Sequence, residues 1–167
     1  MTGIADALVI IDLQNGVCNA DGQIYNFKNL VKLVNQRIVQ YSEQNKEIII
    51  IQHCDETLLE GSYDWKVVPE LNIPTDVHKV VKTHADSFYQ TNFNHLLENL
   101  NIKEIEVCGA QTEYCIDATI KVAHDLGYHI KMQHNATATY NNSYMSAQDT
   151  IAFYENIWHN RFLTFIN

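Results

Sequence analysis

Three residues of the kinds that carry out hydrolysis follow three apolar runs of the sequence. Asp12 follows "ALVII" (7–11), Lys82 ends "HKVVK" (78–82), and Cys115 comes shortly after "EIEVCG" (104–109). A carboxylate, an ammonium group and a thiol can serve as base, charge and nucleophile in an attack on a carbonyl carbon. If the three runs are strands of one parallel sheet, we expect these side chains to meet beyond the carboxyl ends of the strands.

The position of Cys115 suggests how its thiol would be activated. If Thr112 caps the helix that begins here, Cys115 lies in the first turn, where unpaired N–H groups and the helix dipole favour a thiolate. A nearby Lys82 would also lower the thiol pKa. Asp12 could then take the thiol proton and later activate water, and N–H groups at the helix start could stabilise an oxyanion. This pattern favours attack on a small carbonyl compound, above all an amide.

Each of the three residues also has a structural interpretation. An Asp after a parallel strand often caps a loop, a Lys at a strand end is often solvated, and a free Cys commonly fills the core. The occurrence of all three at strand ends favours catalysis.

The elements that must position these residues alternate along the chain. Runs rich in Val and Ile predict strands buried on both faces at 7–11, 47–52, 78–82, 104–109, 128–133 and 161–166. Helical periodicity marks 26–44, 91–101, 112–127 and 143–158. This alternation predicts an α/β fold with three layers, α/β/α, around a parallel sheet. The one long connection, 53–77, exceeds the usual loop length and is expected to be functional.

Composition limits the classes of function. The 167 residues predict a single domain, 1–167, and 46% apolar with 19% charged residues is typical of a folded globular protein. The net charge of −9, without a Lys/Arg cluster, argues against nucleic acid or an anionic membrane surface as a partner. The N-terminal apolar stretch lacks a basic leader and is too short to span a bilayer, so we predict a cytoplasmic protein with free thiols.

Several motifs, taken in order, resemble those of a known family. "ALVIIDLQNG", "VVKTHADSFYQTNF", "EIEVCGAQTEYCIDATIKVAHDLGYHI" and "NATATY" are similar to segments of the isochorismatase-like cysteine hydrolases, which include nicotinamidases and N-carbamoylsarcosine amidases. The resemblance runs from about residue 7 to about 155. It implies a Rossmann-like, six-stranded parallel sheet of order 3-2-1-4-5-6 and a homodimer or higher homo-oligomer.

The resemblance also assigns roles at the site. It implies a catalytic triad of Asp12, Lys82 and Cys115 that acts through a thioester acyl-enzyme. It further implies a cis peptide between Ala110 and Gln111, and an oxyanion hole formed by the N–H groups of Gln111 and Cys115.

Two departures from the family pattern bear on the chemistry. Metal-dependent nicotinamidases carry Asp-x-His after the second strand with another His nearby, whereas this chain has His53, Cys54 and Asp55. Adjacent side chains of an extended segment point to opposite faces, so we predict no metal site and no cofactor. Many members also place an aromatic residue after "QNG", where this chain has Val17, which alters a wall of the pocket.

We expect the substrate to be a small molecule held by polar and aromatic side chains from the loops. The candidate substrate-binding residues are Gln14, Asn15, His53, Trp65, Phe88, Tyr89 and Tyr114. Phe88 and Trp65 suit the hydrophobic core better than the substrate site.

The function predicted from the sequence is hydrolysis of a small neutral or anionic amide or carbamoyl compound, by a cysteine hydrolase of the amidase type acting on non-peptide C–N bonds. Two alternatives stay open: isochorismatase-type hydrolysis of a non-amide bond such as a vinyl ether, and a non-catalytic relative that only binds small molecules.

Overall fold

A parallel sheet forms the centre of the molecule. In the computed structural model, which describes residues 3–166, the strands run in the order β3-β2-β1-β4-β5-β7, and every pairing is parallel. A short seventh strand, β6, extends the sheet beside β4. The strands are β1 (Ala7–Ile11), β2 (Glu47–His53), β3 (His78–Lys82), β4 (Glu104–Ala110), β5 (His129–Gln133), β6 (Thr137–Ala138) and β7 (Thr164–Ile166).

The predicted α/β fold and strand order are confirmed, with one correction to the strand count. The predicted sixth run, 161–166, contributes only Thr164–Ile166, which is the seventh strand in chain order. The additional strand is the two-residue β6, which is too short to show a pattern in the sequence.

Helices flank the sheet close to the predicted positions. They are α1 (Asn15–Cys18), α2 (Phe27–Glu43), α3 (Phe93–Asn99), α4 (Asp117–Asp125) and α5 (Ala147–Trp158). A π-helical turn, Thr112–Ile116, leads directly into α4. The four-residue α1 was not predicted. No helix among residues 3–166 is long and apolar enough to cross a membrane.

The core lies along the central strands because their β-branched side chains are enclosed on both faces. All five residues of β1 are buried, and so are the five central residues of β2. Burial on both faces is the expected state of a parallel strand covered by helices, as the nearly continuous Val and Ile runs indicate.

Gly109 allows β1 and β4 to approach closely next to the strand ends. It has a φ of 135°, and it pairs in register with Ile11. A Cβ at this position would overlap the carbonyl oxygen of Ile11, so only glycine fits. The residue after Ile11 is Asp12, and the chain after β4 leads to Cys115. The glycine therefore brings these two segments side by side.

Candidate active site

Asp12, Lys82 and Cys115 meet at the carboxyl ends of β1, β3 and β4. Lys82 Nζ lies 2.8 Å from Asp12 Oδ2 and 3.2 Å from Cys115 Sγ. Asp12 and Lys82 are each only 1% exposed, so the ion pair is shielded from water. The predicted grouping of a carboxylate, an ammonium group and a thiol is therefore present at one site.

The ammonium group of Lys82 has four acceptors around it. In addition to Asp12 and Cys115, Nζ lies 3.1 Å from the carbonyl oxygen of His84 and 3.2 Å from His53 Nδ1. His53 Nε2 in turn lies 3.2 Å from Asp55 Oδ2. An Nδ1 that accepts from Lys82 and an Nε2–H that donates to Asp55 are consistent with one neutral tautomer of the imidazole.

One of the two carboxylate oxygens of Asp12 accepts no hydrogen bond from residues 3–166. Its backbone has a φ of 52°, and its N–H donates to Ile51 O at 3.0 Å, which turns the side chain away from the end of β1. Oδ2 is paired with Lys82, whereas Oδ1 is buried and has no hydrogen-bond partner among residues 3–166. Burial raises the pKa of the Asp12 carboxyl, and the Lys82 ammonium opposes that rise. A buried carboxylate with a free oxygen and a raised pKa is a suitable base.

The surroundings of Cys115 disfavour a thiolate in the resting site, contrary to the expectation from the sequence. Burial raises its pKa to about 12, the negative charge of Asp12 acts in the same direction, and Lys82 only partly opposes them. Thr112 is also not the cap: the π-helical turn starts at Thr112, and its hydroxyl donates to Thr137 Oγ1 at 2.9 Å. Cys115 does lie in the first turn, but the thiolate has to be generated by a base.

The residue that precedes this turn, Gln111, follows an unusual peptide bond. The Ala110–Gln111 peptide is cis. The N–H group of Gln111 donates to no acceptor among residues 3–166, and Gln111 lines the same cavity as Cys115. An unpaired N–H group beside a nucleophile can stabilise negative charge on a carbonyl oxygen.

A cavity of about 130 Å³ opens onto the sulfur. Its lining residues are Asp12, Val17, His53, Leu58, Gln111, Tyr114 and Cys115. Of the predicted substrate-binding residues, His53 and Tyr114 are therefore at the cavity. A wider depression of about 610 Å³ lies along α2, but its described lining residues include no cysteine or other nucleophile of this kind.

Gln14 and Asn15, predicted to bind substrate, tether the 53–77 loop, and neither lines the cavity. Gln14 Nε2 donates to His53 O at 2.9 Å and Trp65 O at 2.8 Å, while its Oε1 accepts from His53 N at 2.8 Å. Asn15 Nδ2 donates to Tyr63 O at 2.9 Å. Both side chains are buried, and both oxygen and nitrogen of the Gln14 amide are hydrogen-bonded to backbone.

Trp65, Phe88 and Tyr89 also lie away from the cavity wall, contrary to prediction. The Trp65 indole N–H is buried without a partner among residues 3–166, and its carbonyl group accepts the tether from Gln14. Phe88 packs in the core against Phe93, with ring centroids 4.7 Å apart. Tyr89 is about half exposed and packs edge-on against His84.

The side chains at the end of β2 do not form a set of metal ligands. Both ring nitrogens of His53 are engaged, one by Lys82 and one by Asp55. Within residues 3–166, no group of three or more His, Cys, Asp or Glu side chains is arranged to hold a metal ion. All four cysteines are free thiols, as the sequence indicated.

Comparison with known proteins places this site in a family. The family model described as the isochorismatase domain matches residues 6–154. The chain belongs to the isochorismatase family. This is a family of hydrolases, and the relatives of this chain include amidases.

Individual relatives share the fold over most of the chain. A solved structure described as an isochorismatase family protein is 39% identical, covers 96% of this chain and 97% of its own, and superposes with a TM-score of 0.94. Nicotinamidase 3 of Arabidopsis thaliana is 27% identical over 81% of this chain and 74% of its own length. Streptothricin hydrolase of Streptomyces noursei is 33% identical over 54% of this chain, and the match spans 35% of that relative.

Leu58 is the cavity residue of this family member that the sequence did not reveal. It is a buried side chain within an exposed part of the long loop. Its Cδ2 lies so close to Gly16 that a side chain at Gly16 would displace it. The only signal in the sequence was an apolar pair, Leu58 and Leu59, in an otherwise acidic stretch. Val17 was singled out and does line the wall.

Proposed function

We propose that the protein is a cysteine hydrolase that cleaves a small amide or carbamoyl compound through a thioester acyl-enzyme. The observation that carries the proposal is the buried contact of Lys82 with both Asp12 and Cys115, combined with the free Oδ1 of Asp12. This set supplies a nucleophile, a base with an open acceptor, and a positive charge that stabilises both anions.

Acylation begins with proton transfer, because the resting thiol is neutral. Asp12 Oδ1 takes the proton of Cys115, and Lys82 stabilises the thiolate from 3.2 Å. Sulfur then bonds to the carbonyl carbon, and the π electrons move to oxygen, where the N–H groups of Gln111 and Cys115 are the proposed donors. When the intermediate collapses, the C–N bond breaks, and the departing amine takes the proton held by Asp12.

Deacylation reverses the roles with water as the nucleophile. Asp12, ionised again, takes a proton from water, and the hydroxide adds to the thioester carbon. Collapse breaks the C–S bond and releases the carboxylic acid, and Asp12 returns its proton to sulfur. The sum is amide plus water giving acid plus amine, with the thiol and carboxylate restored.

The proposed chemistry uses no metal ligand. Each step assigns Asp12, Lys82 and Cys115 a role, and both nitrogens of His53 already have partners. A relative named nicotinamidase supports amide cleavage as the type of reaction but does not assign a substrate to this chain.

The test measures both products of the first half-reaction. Ammonia release from a panel of small primary amides should be detectable for the wild type, and intact mass measurement after acid quenching should show an acyl adduct on Cys115. The variant Cys115→Ser should lose at least about 10⁴-fold in rate.

A matched variant controls for loss of a thiol near the site. Cys54 is half-buried next to His53 but does not line the cavity, so Cys54→Ser should retain the wild-type rate. Ammonia release that persists in Cys115→Ser, in a folded protein, would contradict the thiol mechanism.

A further inference from the structure

We propose that the substrate of this site is uncharged at the end that enters the cavity, and that the site rejects carboxylates and phosphates. The inference rests on the proposed function because Cys115 is taken as the atom at which the substrate reacts. It narrows the proposed substrates to those whose reacting end carries no charge.

The size of the cavity is the first reason. Its volume of about 130 Å³ is well below the roughly 300–1,000 Å³ of common ligand pockets. Val17, Leu58 and Tyr114 supply apolar parts of its wall. A carboxylate has to leave its hydration shell outside such a space, which is costly unless a new partner replaces the water.

No positive group is free to replace that water. None of the described residues that line the cavity is a Lys or Arg. Lys82 lies just behind the wall, but its Nζ already has four acceptors within 3.2 Å. An incoming anion would therefore have to displace one of these acceptors before Lys82 could pair with it.

The loop segment that supplies Leu58 to the cavity wall is acidic. Leu58 belongs to a segment, 55–64, that carries four carboxylates and no Lys or Arg. These are Asp55, Glu56, Glu60 and Asp64, all on the exposed side of the loop. Together with the net charge of −9, they produce a negative potential that opposes the approach of an anion.

Charge selection can be measured at the sulfur itself with two alkylating reagents. Iodoacetamide is neutral and iodoacetate is an anion of similar size; in both reactions the thiolate displaces iodide and forms a C–S bond. The ratio of their rate constants at Cys115, located by peptide mass at about pH 9, is divided by the ratio for N-acetylcysteine. The thiol pKa cancels, because both reagents use the same thiolate.

We expect the preference of Cys115 for iodoacetamide to exceed that of N-acetylcysteine by about tenfold or more. A normalised ratio at or below one would overturn the proposal. The measurement needs no turnover, so it reports on the cavity even if ammonia release fails. Failure of the proposed function and failure of the charge selection are therefore separate results.

A pair of variants locates the source of the selection. Tyr114 lines the cavity and is 60% exposed, so Tyr114→Arg adds a positive charge at the wall without filling the core. This variant should raise the relative rate with iodoacetate severalfold. Tyr144, which is 93% exposed and lies outside the cavity lining, provides the control Tyr144→Arg with the same change in net charge. Equal effects of both variants would contradict selection by the cavity.

Discussion

Two buried ion pairs in this protein differ in how completely their polar atoms are used. In the first, the guanidinium of Arg37 on α2 donates to both carboxylate oxygens of Glu106 on β4, at 2.7 and 2.5 Å. The third guanidinium nitrogen donates to Gln40, and the Tyr41 hydroxyl donates to Glu106 at 2.9 Å. In the second pair, Asp12 and Lys82, one carboxylate oxygen has no partner among the described residues.

The difference separates a pair that fixes structure from a pair that is prepared for chemistry. Both are almost fully buried, so burial alone does not distinguish them. When both carboxylate oxygens are hydrogen-bonded, moving a proton only breaks bonds, and the pair is chemically inert. When one acceptor is left open beside a thiol, the same burial supplies a base. Between these two pairs, the unpaired oxygen beside the thiol distinguishes the reactive one, whereas charge and depth do not.

The two buried pairs should differ most in how much each contributes to the reaction rate. Asp12→Asn keeps the shape but removes the base, so ammonia release should fall about 10³-fold. Glu106→Gln provides the counterpart at the other pair and should leave the rate per folded molecule close to that of the wild type. A comparable loss of rate in Glu106→Gln would show that the two pairs are not functionally distinct.

The next effect is on stability at the structural pair. Arg37→Met leaves the Glu106 charge buried without its cation, and the free energy of unfolding measured in urea should fall by about 3–5 kcal/mol. Lys46→Met removes the same type of charge from a partly exposed pair with Asp6, 3.3 Å apart, and should cost less than about 1 kcal/mol. Similar losses for the two variants would mean that the Arg37–Glu106 pair stabilises the fold no more than the partly exposed Lys46–Asp6 pair does.

A smaller effect concerns the pKa of the Cys115 thiol. The charge of Asp12 helps to raise the pKa of Cys115 to about 12, so Asp12→Asn should lower that pKa. At fixed pH below it, the thiolate fraction increases, and iodoacetamide should label Cys115 about tenfold faster even though hydrolysis is slower. Asp125→Asn, at an exposed carboxylate on the surface, should not change the labelling rate. Slower labelling in Asp12→Asn would contradict the assigned electrostatics.

The smallest effect concerns alkaline pH. Burial, with the nearby Glu106 charge, raises the pKa of Tyr41 in the folded protein. Its contribution to stability is complete below the unfolded value of about 10 and is lost as pH rises from there towards the folded pKa. The wild type should therefore lose about 1 kcal/mol per pH unit more than Tyr41→Phe above about pH 10, measured from urea midpoints. Parallel curves would exclude this linkage.

The fold was predictable because its signals are local and repeated. The bounds of β1 and β3 match the predicted runs residue for residue, since Val and Ile runs between polar ends define a buried strand. β6 was missed because two residues carry no periodicity. The grouping of Asp12, Lys82 and Cys115 followed from the rule that ligands bind at the carboxyl ends of parallel strands.

The details of the site depend on long-range contacts that no local pattern records. Gln14 and Asn15 were expected to face substrate, but an amide side chain bonds to whatever backbone passes by, and here that is the 53–77 loop. The predicted lowering of the Cys115 pKa had the wrong sign. Position in a first turn and the neighbouring Asp12 were visible in the sequence, whereas the burial that raises the thiol pKa was not.

The surroundings of Lys82 allow its hydrogen bonds to change partner as charge moves during the reaction. An ammonium group carries three N–H bonds, and four acceptors lie within 3.2 Å of this one. Three N–H bonds cannot serve four acceptors at once, so in every orientation one acceptor receives no hydrogen bond from Lys82. As charge passes from carboxylate to sulfur and back, a turn about the Cε–Nζ bond redirects the N–H bonds towards whichever atom is negative. The backbone and the other side chains can therefore keep their positions while the N–H bonds of Lys82 reorient during the reaction.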